Sequence, residues 1–301
     1  MDIKEKVEAY MDLLRIHFAP VWPILFLSGL FLAYSDGGDF SWSFTIKVAF
    51  IGLTGFLAGM VLNDIVDRKL DIKDIEFDKL VKYWRPFNEI PLVTGRVSEK
   101  EAKGLFLTLV LITSILIFTL SYPNNLILFG IMLYGYLMEY FYQIKKRKQK
   151  YPIAQILGRT DFALFPVAGY LCLNLPDLTA LTYLIFFYPL ALAHLGLNDI
   201  VDIKNDFVKD MKTIPILYGK DGTVRWIATF SILHILTVPF FLSFMGTAAM
   251  IGFSISVVLI ATANVLLYRN RTSKTGLKVL PLFHMSVLIY SLSMILDFVL
   301  F

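Results

Sequence analysis

Two copies of a short polar motif carry the side chains of this chain that are best suited to chemistry. The first copy runs from Asn63 to Asp71 and the second from Asn198 to Asp206. The motif side chains are Asn63, Asp64, Asp67 and Asp71 in the first copy and Asn198, Asp199, Asp202 and Asp206 in the second. Carboxylate and amide oxygens suit Mg²⁺ better than they suit zinc or copper. The two copies therefore predict a magnesium site.

The spacing within the motif places its carboxylates close together. Asp64, Asp67 and Asp71 lie at positions i, i+3 and i+7, which share one face of a helix. Carboxylates about 6 Å apart repel by roughly 3 kcal/mol per pair at an effective dielectric of about 20. An ion pair between Asp64 and Arg68 would relieve this in the first copy only, because Ile203 stands at the equivalent place in the second. Since Mg²⁺ is usually shared between carboxylates and substrate phosphates, we expect a phosphorylated substrate between the two copies.

Basic side chains near the motifs are candidates for holding that phosphate. They are Lys79, Lys82, Arg85, Lys145, Lys146 and Lys212. Lysines beside membrane spans also follow the positive-inside rule, so each of these residues has a topological explanation of similar weight. Arg159 differs because it lies inside an apolar run, where a charge is costly and usually functional. We expect Arg159 to bind substrate, and an ion pair with Asp161 is the structural alternative.

Composition and hydrophobic runs indicate a polytopic membrane protein of the all-α class. The 301 residues are 57% hydrophobic and only 17% charged, which is more apolar than a soluble core accommodates. About 20 apolar residues span a bilayer as a helix. The nine predicted spans are 18–34, 44–66, 105–122, 126–142, 153–173, 179–201, 224–244, 248–267 and 279–300.

The distribution of positive charge predicts the orientation of these spans. Of the 28 lysines and arginines, 26 fall on one side, and the remaining two lie within spans. The positive-inside rule then places the N-terminus and both motifs in the cytoplasm and the C-terminus outside. The motifs end spans two and six, which run in the same direction. We therefore expect one domain over 1–301, with parallel repeats over about 16–142 and 153–267 and a ninth helix over about 279–300.

Three shorter features complete the expected architecture. The N-terminal segment mixes both signs of charge before any apolar run, which predicts a short surface helix rather than a secretory signal. Ser98 and Glu101 form a capping-box pattern before the third span. The stretch between Asp71 and Pro91 predicts a short cytoplasmic helix that covers the site, with a solvated linker as the alternative.

At the two aspartate motifs the chain resembles the UbiA superfamily of intramembrane prenyltransferases. That family carries NDxxDxxxD after its second helix and DxxDxxxD after its sixth, and both patterns are complete here. Further similarities lie at Arg85-Pro86, at 91–98, at 212–215 with Gly219, and at the pair Tyr142 and Lys146. Arg15 resembles a substrate-side arginine of the family. The resemblance extends over essentially the whole chain.

The resemblance implies a fold and a reaction. The fold is a nine-helix bundle around a central apolar cavity that opens to lipid beneath a polar cytoplasmic cap. A prenyl diphosphate would bind two Mg²⁺ ions through the six aspartates, and a lipophilic acceptor would attack the allylic carbon as diphosphate departs. The residues expected to bind substrate are Arg15, Asn63, Lys79, Arg85, Tyr142, Lys145, Lys146, Arg159, Asn198 and Lys212. Membrane lipids surround such a protein, and no nucleic-acid partner is expected.

Other functions and acceptors fit parts of the pattern. An ion-coupled transporter also uses repeats and acidic helices, but its site usually lies near the bilayer midplane. A CDP-alcohol phosphotransferase needs a DGxxAR opening, which neither motif has. Within the family, the acceptor is either an aromatic quinone precursor, such as a hydroxybenzoate or dihydroxynaphthoate, or a geranylgeranylglyceryl phosphate. Haem farnesylation fits less well, because that branch has a different second motif. His194, one turn before Asn198, is a further candidate for reaching the cavity.

Overall fold

The computed structural model describes residues 2–76, 79–243 and 245–300, and all regular elements in these ranges are helical. The helices are α1 (Ile3–Leu13), α2 (Val21–Ser35), α3 (Trp42–Asp71), α4 (Leu80–Trp84), α5 (Pro91–Thr94), α6 (Glu99–Phe118), α7 (Asn124–Lys145), α8 (Ile153–Gly158), α9 (Thr160–Tyr170), α10 (Leu178–Val201), α11 (Ile203–Val208), α12 (Ile214–Leu242), α13 (Thr247–Arg269) and α14 (Ser273–Leu300), with a 3₁₀ turn at Ile16–Phe18. The all-α class is confirmed.

Polar side chains fix where several of these helices begin. The Ser98 hydroxyl accepts from the backbone N–H of Glu101 at 3.3 Å, and the Glu101 carboxylate accepts from the Ser98 N–H at 2.8 Å. This confirms the predicted capping box, which satisfies two N–H groups that a helix start leaves unpaired. Asp177 caps the start of α10 with a single bond, since its carboxylate accepts from the Ala180 N–H at 2.8 Å. The predicted N-terminal helix is also present, as α1.

Seven of the nine predicted spans form helices that are long and apolar enough to cross a membrane within the described ranges. The fourth run forms α7, a 22-residue helix rich in tyrosine and interrupted by Glu139, which is not among the seven. The fifth run was predicted as one helix, but the chain forms α8 and α9 with a break at Arg159. The seventh run ends at Phe244, which lies outside the described residues. In α12, Gly219 (φ 70°, ψ 177°) separates a short first segment from the long apolar one.

Helix α2 lies at the centre of the packing. It contacts α3, α9 and α14, while α10 contacts α9, α12 and α14. The contact with α9 depends on two glycines. A Cβ added to Gly169 would lie 1.8 Å from the Phe26 carbonyl oxygen, and one added to Gly29 would lie 1.9 Å from the Pro166 carbonyl oxygen. Small residues let helix backbones approach closely in membranes, where water does not drive association.

The short helices gather at the ends of α3 and α10, where the two motifs lie. The predicted helix between the first motif and Pro91 is confirmed as α4, although Phe77 and Asp78 of that stretch lie outside the described residues. Asp12, at the end of α1, holds the segment after α4, because its carboxylate accepts from the N–H groups of Phe87 at 2.7 Å and Glu89 at 2.9 Å. The buried Asp12 therefore anchors this segment over the motif end of the bundle.

Gly169→Ala tests the close contact between α2 and α9. The added methyl group would meet the Phe26 carbonyl, and overpacking of this kind costs about 1–3 kcal/mol or more. We expect a lower midpoint of thermal unfolding in detergent. Gly130→Ala is the control, because a Cβ added to Gly130 meets nothing within 4 Å. Equal midpoints for the two variants would contradict the packing described here.

Candidate active site

Both aspartate motifs line one cavity at the ends of α3 and α10. This polar cavity has a volume of about 220 Å³. Its lining consists of Arg15, Asn63, Asp64, Asp67, Asp71, Asp74, Leu80, Val81, Trp84, Arg85, Ile90, Tyr142, Gln143, Lys146, Arg159, Leu195, Asn198, Asp199, Asp202, Asn205, Asp206, Lys209, Met211 and Thr213. The structure thus places all eight motif side chains around a single cavity.

Two arginines hold Asp64, the first aspartate of the first motif. Arg85 donates to both of its carboxylate oxygens, at 2.9 and 2.8 Å, and Arg15 donates to Oδ1 at 2.9 Å. Arg15 adopts the left-handed backbone conformation (φ 47°) just after α1. Residues other than glycine seldom adopt this conformation, and it often marks a functional position. Here it accompanies the contact between Arg15 and the buried Asp64.

The other two aspartates of the first motif are also paired with basic side chains. Asp67 accepts from Lys146 at 3.0 Å and from Arg147 at 3.1 Å. Asp71 accepts from Lys209 at 2.9 Å, and Lys209 also lies 2.5 Å from Asp74. Burial lowers the pKa of Lys209, but the two carboxylates outweigh burial and hold this pKa above its usual range. Every aspartate of the first motif therefore has a positively charged partner.

The second motif is held by polar groups instead. Asp199 accepts from the N–H of Ile214 at 3.2 Å, and Asp206 accepts from the Thr213 hydroxyl at 2.8 Å. Asp202 lies at the junction of α10 and α11 and accepts from the Asn205 side chain at 2.8 Å. The second motif therefore spans two helices, whereas the first lies on one.

The carboxylates of the second motif have no Lys or Arg partner within 4 Å among the residues that the structure describes. Burial raises the pKa of Asp202 to about 8, and the negative charge of Asp206 adds to this rise. Burial also raises the pKa of Asp206 to about 7, together with the charge of Asp199. These shifts mark carboxylates whose charge is poorly compensated, and a bound cation would compensate it.

Asn205 joins the second motif to the segment that follows the first. Its side-chain oxygen accepts from the N–H groups of Ile75 and Glu76, both at 3.0 Å. Its amide group donates to the Glu76 carbonyl at 3.1 Å and to Asp202 at 2.8 Å. This buried side chain thus ties the second motif to the segment after α3, as Lys209 does through Asp71 and Asp74.

Three of the ten predicted substrate-binding residues do not line the polar cavity. Lys79 pairs with Glu76 and donates to the Ser273 hydroxyl at 3.0 Å. Lys212 pairs with Asp210, and Lys145 is absent from the lining. Lys79 and Lys212 thus pair with neighbouring acidic or hydroxyl groups outside the polar cavity. The other seven, which do line the cavity, are Arg15, Asn63, Arg85, Tyr142, Lys146, Arg159 and Asn198.

The alternative ion pair between Asp64 and Arg68 does not form. Arg68 pairs with Glu99 at 2.7 Å and donates to the Leu92 carbonyl at 3.3 Å. It therefore links α3 to α5 and α6. The negative charge of Asp64 is instead compensated by Arg15 and Arg85, which are distant in the sequence.

Arg159 lies at the boundary between the polar cavity and a second, mostly apolar pocket. Its guanidinium lies 3.7 Å from Asp161 and 4.0 Å from Glu139, and it is 4.7 Å from the ring centre of Tyr142. The second pocket, called the glycine-lined pocket, has a volume of about 150 Å³. Its lining consists of Phe26, Ile51, Gly55, Phe56, Gly59, Met60, Thr113, Ile117, Leu128, Ile131, Met132, Tyr134, Gly135, Tyr136, Glu139, Arg159, Asp161, Phe162, Leu164, Phe165 and Ala168.

A third cavity, the aromatic pocket, adjoins the other two and has a volume of about 170 Å³. His194, a candidate for reaching the substrate cavity, lines this pocket and not the polar cavity. Its Nε2 lies 2.7 Å from Nε2 of His284, whose Nδ1 lies 2.6 Å from the Tyr83 hydroxyl. The lining consists of Phe18, Val21, Trp22, Tyr83, Trp84, Phe162, His194, Pro281, His284, Met285, Val287 and Leu288.

The charges around the polar cavity fit a divalent metal ion. Seven carboxylates and five basic side chains line it, which leaves an excess of negative charge. Asn198 Oδ1 is buried without a hydrogen-bond partner among the described residues. No three acidic, histidine or cysteine side chains form a ready-made metal cage in the described ranges. Mg²⁺ does not require such a cage, because it keeps several waters and binds through one or two carboxylates and a substrate phosphate.

Sequence reasoning missed several residues of the site. The residues concerned are Asp12, Asp74, Glu139, Gln143, Arg147, Asn205 and Lys209. A signal existed for Arg147, which lies in the basic run of 145–150, and for Lys209, which lies one turn after the second motif. For Glu139 the signal was a carboxylate inside an apolar run, the same signal that identified Arg159. No sequence pattern distinguishes Asp12.

Comparison with known proteins identifies the family of this chain. A model of the UbiA prenyltransferase family matches residues 21–288, and the chain belongs to this family. A 4-hydroxybenzoate octaprenyltransferase from Aeromonas hydrophila is 30% identical over 276 residues, which cover 89% of this chain and 87% of that protein. One from Pseudoalteromonas translucida is 27% identical over 214 residues, or 71% of this chain and 68% of that protein.

Solved structures of low sequence identity share the fold. A UbiA homologue from Aeropyrum pernix superposes with a TM-score of 0.74 at 17% identity, over 91% of this chain and 97% of that one. A digeranylgeranylglyceryl phosphate synthase gives 0.69 at 20% identity, over 98% and 99%. A homologue from Archaeoglobus fulgidus bound to DMAPP and Mg²⁺ gives 0.67 at 15% identity, over 95% and 99%. With the family match over residues 21–288 and its apolar helices, the chain is an integral membrane protein of the UbiA prenyltransferase family.

Asn205→Ala tests the link between the two motifs. The substitution leaves the N–H groups of Ile75 and Glu76 without an acceptor, and unsatisfied buried donors cost about 1–3 kcal/mol. We expect faster hydrogen exchange of the segment after α3. The amides at the start of α6 are the internal control, because no hydrogen bond of Asn205 reaches them. Unchanged exchange in the alanine variant would show that this segment is held elsewhere.

Proposed function

We propose that the chain transfers a prenyl group from a prenyl diphosphate, of geranyl or geranylgeranyl type, to a lipophilic acceptor. The diphosphate and two Mg²⁺ ions would occupy the polar cavity. The difference between the two motifs is the observation that supports this most directly. Basic side chains neutralise the first motif, while the second has carboxylates without such partners among the described residues.

Charge balance favours more than one metal ion. The polar cavity already has more carboxylates than basic side chains. A diphosphate adds further negative charge, which a single Mg²⁺ does not offset. Asp199, Asp202 and Asp206 would hold metal most directly, and Asp64, Asp67 and Asp71 would contribute as their basic partners turn toward phosphate. Asn63 and Asn198 supply neutral oxygens beside the two sets.

The residues of the cavity have separable tasks in this reaction. Bound Mg²⁺ supplies Lewis-acid stabilisation of the leaving diphosphate. Arg15, Arg85 and Lys146 would donate charge-assisted hydrogen bonds to its oxygens. The buried Tyr142 ring lies 4.8 Å from the Lys146 ammonium and orients it by a cation–π contact. Enclosure by α4 and the segment after it would limit the access of water to the allylic carbon.

Two acceptor classes fit the family and the polarity of the cavities. The relatives described above are named for 4-hydroxybenzoate, an aromatic quinone precursor. A solved neighbour is named for digeranylgeranylglyceryl phosphate, an ether lipid. Acceptors of both classes carry a hydroxyl group and an apolar part, which is a benzene ring in the first class and a prenyl chain in the second. This matches the arrangement here, in which apolar pockets adjoin the polar cavity.

The proposed topology has nine spans in two parallel four-helix repeats and a ninth helix. In this arrangement α2, α3, α6 and α7 form the first repeat, with the second made by α8 and α9 together, α10, α12 and α13. Helix α14 is the ninth span. Both motif helices, α3 and α10, take the second place in their repeats. The N-terminus and the polar cavity face the cytoplasm and the C-terminus faces outward, as the distribution of lysine and arginine favours.

Asp202→Asn tests the metal role of the second motif. The substitution removes a charge at a position with no basic partner among the described residues. We expect turnover to fall at least roughly a hundredfold, the scale for loss of one preorganised electrostatic group. The protein should also lose the Mg²⁺-dependent thermal stabilisation that geranyl diphosphate gives. Asp221→Asn is the control, because Asp221 is exposed and paired with Arg271 at 2.8 Å. Wild-type turnover in the Asp202 variant would refute the two-metal proposal.

Single-cysteine variants test the orientation. The native Cys172 is buried, so it is first replaced by serine. Lys148→Cys lies after α7 on the proposed cytoplasmic side, and Ser121→Cys lies between α6 and α7 on the proposed outer side. An impermeant maleimide applied to intact cells should label only the cysteine at 121. Labelling at 148 alone would reverse the proposed orientation.

A further inference from the structure

Glu139, Arg159 and Asp161 form a charged cluster, here called the boundary cluster, where the polar cavity meets the glycine-lined pocket. All three line the glycine-lined pocket, and Arg159 lines both cavities. The cluster is tied to the first motif, because Asn63 donates to Glu139 at 2.8 Å. It lies beside the diphosphate site, at the head of a pocket that is otherwise mostly apolar.

The Arg159 guanidinium makes no hydrogen bond to any residue that the structure describes. Its distances of 3.7 Å to Asp161 and 4.0 Å to Glu139 exceed hydrogen-bond length. In the described ranges its N–H groups donate to no other side chain or carbonyl. The side-chain oxygen of Gln143, whose amide group donates to Glu139, is likewise buried with no partner among the described residues. The Gln143 oxygen and the Arg159 N–H groups are therefore available to a ligand.

The composition of the boundary cluster selects for a particular ligand chemistry. One guanidinium accompanies two carboxylates, so the cluster has a negative charge when all three groups are ionised. A hydroxyl group can accept from Arg159 and donate to Glu139 or Asp161 at the same time. A carboxylate or phosphate can only accept, and it would meet like charge. The cluster therefore matches an uncharged hydroxyl.

The aromatic pocket is the better place for the prenyl tail. Its lining is almost wholly aromatic and aliphatic, and its two histidines bond to each other. Trp84 lines both this pocket and the polar cavity. The prenyl tail could therefore extend from the diphosphate past Trp84 into the aromatic pocket without desolvating a charged group. In the glycine-lined pocket it would have to pass the boundary cluster.

We propose that the boundary cluster is the acceptor subsite and that it selects acceptors that present an uncharged hydroxyl and carry no negative charge on the rest of the molecule. The hydroxyl lies between Arg159 and the carboxylates of Glu139 and Asp161, and the apolar body of the acceptor fills the glycine-lined pocket. As the hydroxyl oxygen bonds to the allylic carbon, the bond from that carbon to diphosphate breaks and the hydroxyl proton passes to one of these carboxylates. This inference rests on the proposed function and specifies its substrate class. It sets this chain apart from relatives named for an acceptor that carries a carboxylate.

Open space in the glycine-lined pocket provides a second way to test the assignment. Gly59 of α3 and Gly135 of α7 both line the pocket, and a Cβ added to either meets nothing within 4 Å. A larger side chain at Gly135 would therefore enter the pocket without striking a neighbour at its first carbon. Gly130, on the same helix, is also unobstructed but lines none of the three cavities.

The first experiment measures prenyl transfer from geranyl diphosphate to pairs of acceptors in which one member is anionic and the other is uncharged. The pairs are 4-hydroxybenzoate with its methyl ester, and a geranylgeranylglyceryl phosphate with the corresponding uncharged alcohol. We expect the wild type to prefer the uncharged member of each pair by kcat/KM. Glu139→Gln and Asp161→Asn should each move the ratio toward the anionic member by roughly tenfold or more, the scale on which a buried polar group discriminates. Glu99→Gln and Asp221→Asn, both at exposed ion pairs, should leave the ratio unchanged.

The outcomes separate this inference from the function on which it rests. A wild type that prefers anionic acceptors, or variants that change only the KM for geranyl diphosphate, would overturn the acceptor subsite while leaving the prenyltransferase in place. Absence of both Mg²⁺-dependent stabilisation by geranyl diphosphate and transfer to any acceptor would overturn the proposed function itself. Each variant is compared at matched stabilisation by geranyl diphosphate, so a folding defect is recognised.

Gly135→Leu tests the same assignment through space instead of charge. The leucine would occupy the glycine-lined pocket, so the KM for the acceptor should rise several-fold while the KM for geranyl diphosphate stays unchanged. Gly130→Leu should behave like the wild type. A rise in the KM for geranyl diphosphate alone would place the prenyl tail in this pocket and overturn the inference.

Discussion

Compensation of buried negative charge is the constraint on which the rest of this structure depends. Seven carboxylates line one cavity at the end of a membrane bundle, where isolated charges are costly. The fold brings positively charged side chains to this cavity from distant parts of the chain. Arg15 comes from the end of α1, Arg85 from the segment after α4, Lys146 from the end of α7 and Lys209 from the end of α11. Three of the four follow short helices, since Arg15 comes after α1, Arg85 after α4 and Lys209 after α11.

The compensation is unequal, and the inequality has a chemical consequence. In the proposed reaction, the basic side chains on the first motif would turn from carboxylate to phosphate when substrate arrives. The second motif lacks such partners in the described part of the chain, so it depends more strongly on a bound metal ion. A metal ion held there and basic side chains released from the first motif would act on the same diphosphate from two sides. Asn205 and Lys209 tie the second motif to the segment after α3, and this cooperation depends on such links.

The sequence alone predicted the features that depend on local spacing. The motif aspartates, the capping box at Ser98 and most of the apolar runs follow from periodicity and composition. Features that depend on which distant side chain comes into contact were not predictable in this way. Asp64 is paired with Arg85, 21 residues away, while the nearby Arg68 reaches Glu99. The single helix expected in the fifth run is broken at Arg159, where a charged group faces a cavity instead of lipid.

The three cavities constrain where the reaction takes place. Arg159 lines the polar cavity and the glycine-lined pocket, Trp84 lines the polar cavity and the aromatic pocket, and Phe162 lines the two apolar pockets. Each pair of cavities thus meets at one of these side chains. The diphosphate, the prenyl tail and the acceptor are chemically different groups, and all three must adjoin the allylic carbon. That carbon would lie among Arg159, Trp84 and Phe162, where aromatic rings can stabilise developing positive charge and the boundary cluster can hold the attacking hydroxyl. The three cavities differ in charge and polarity, and this difference would orient the substrates.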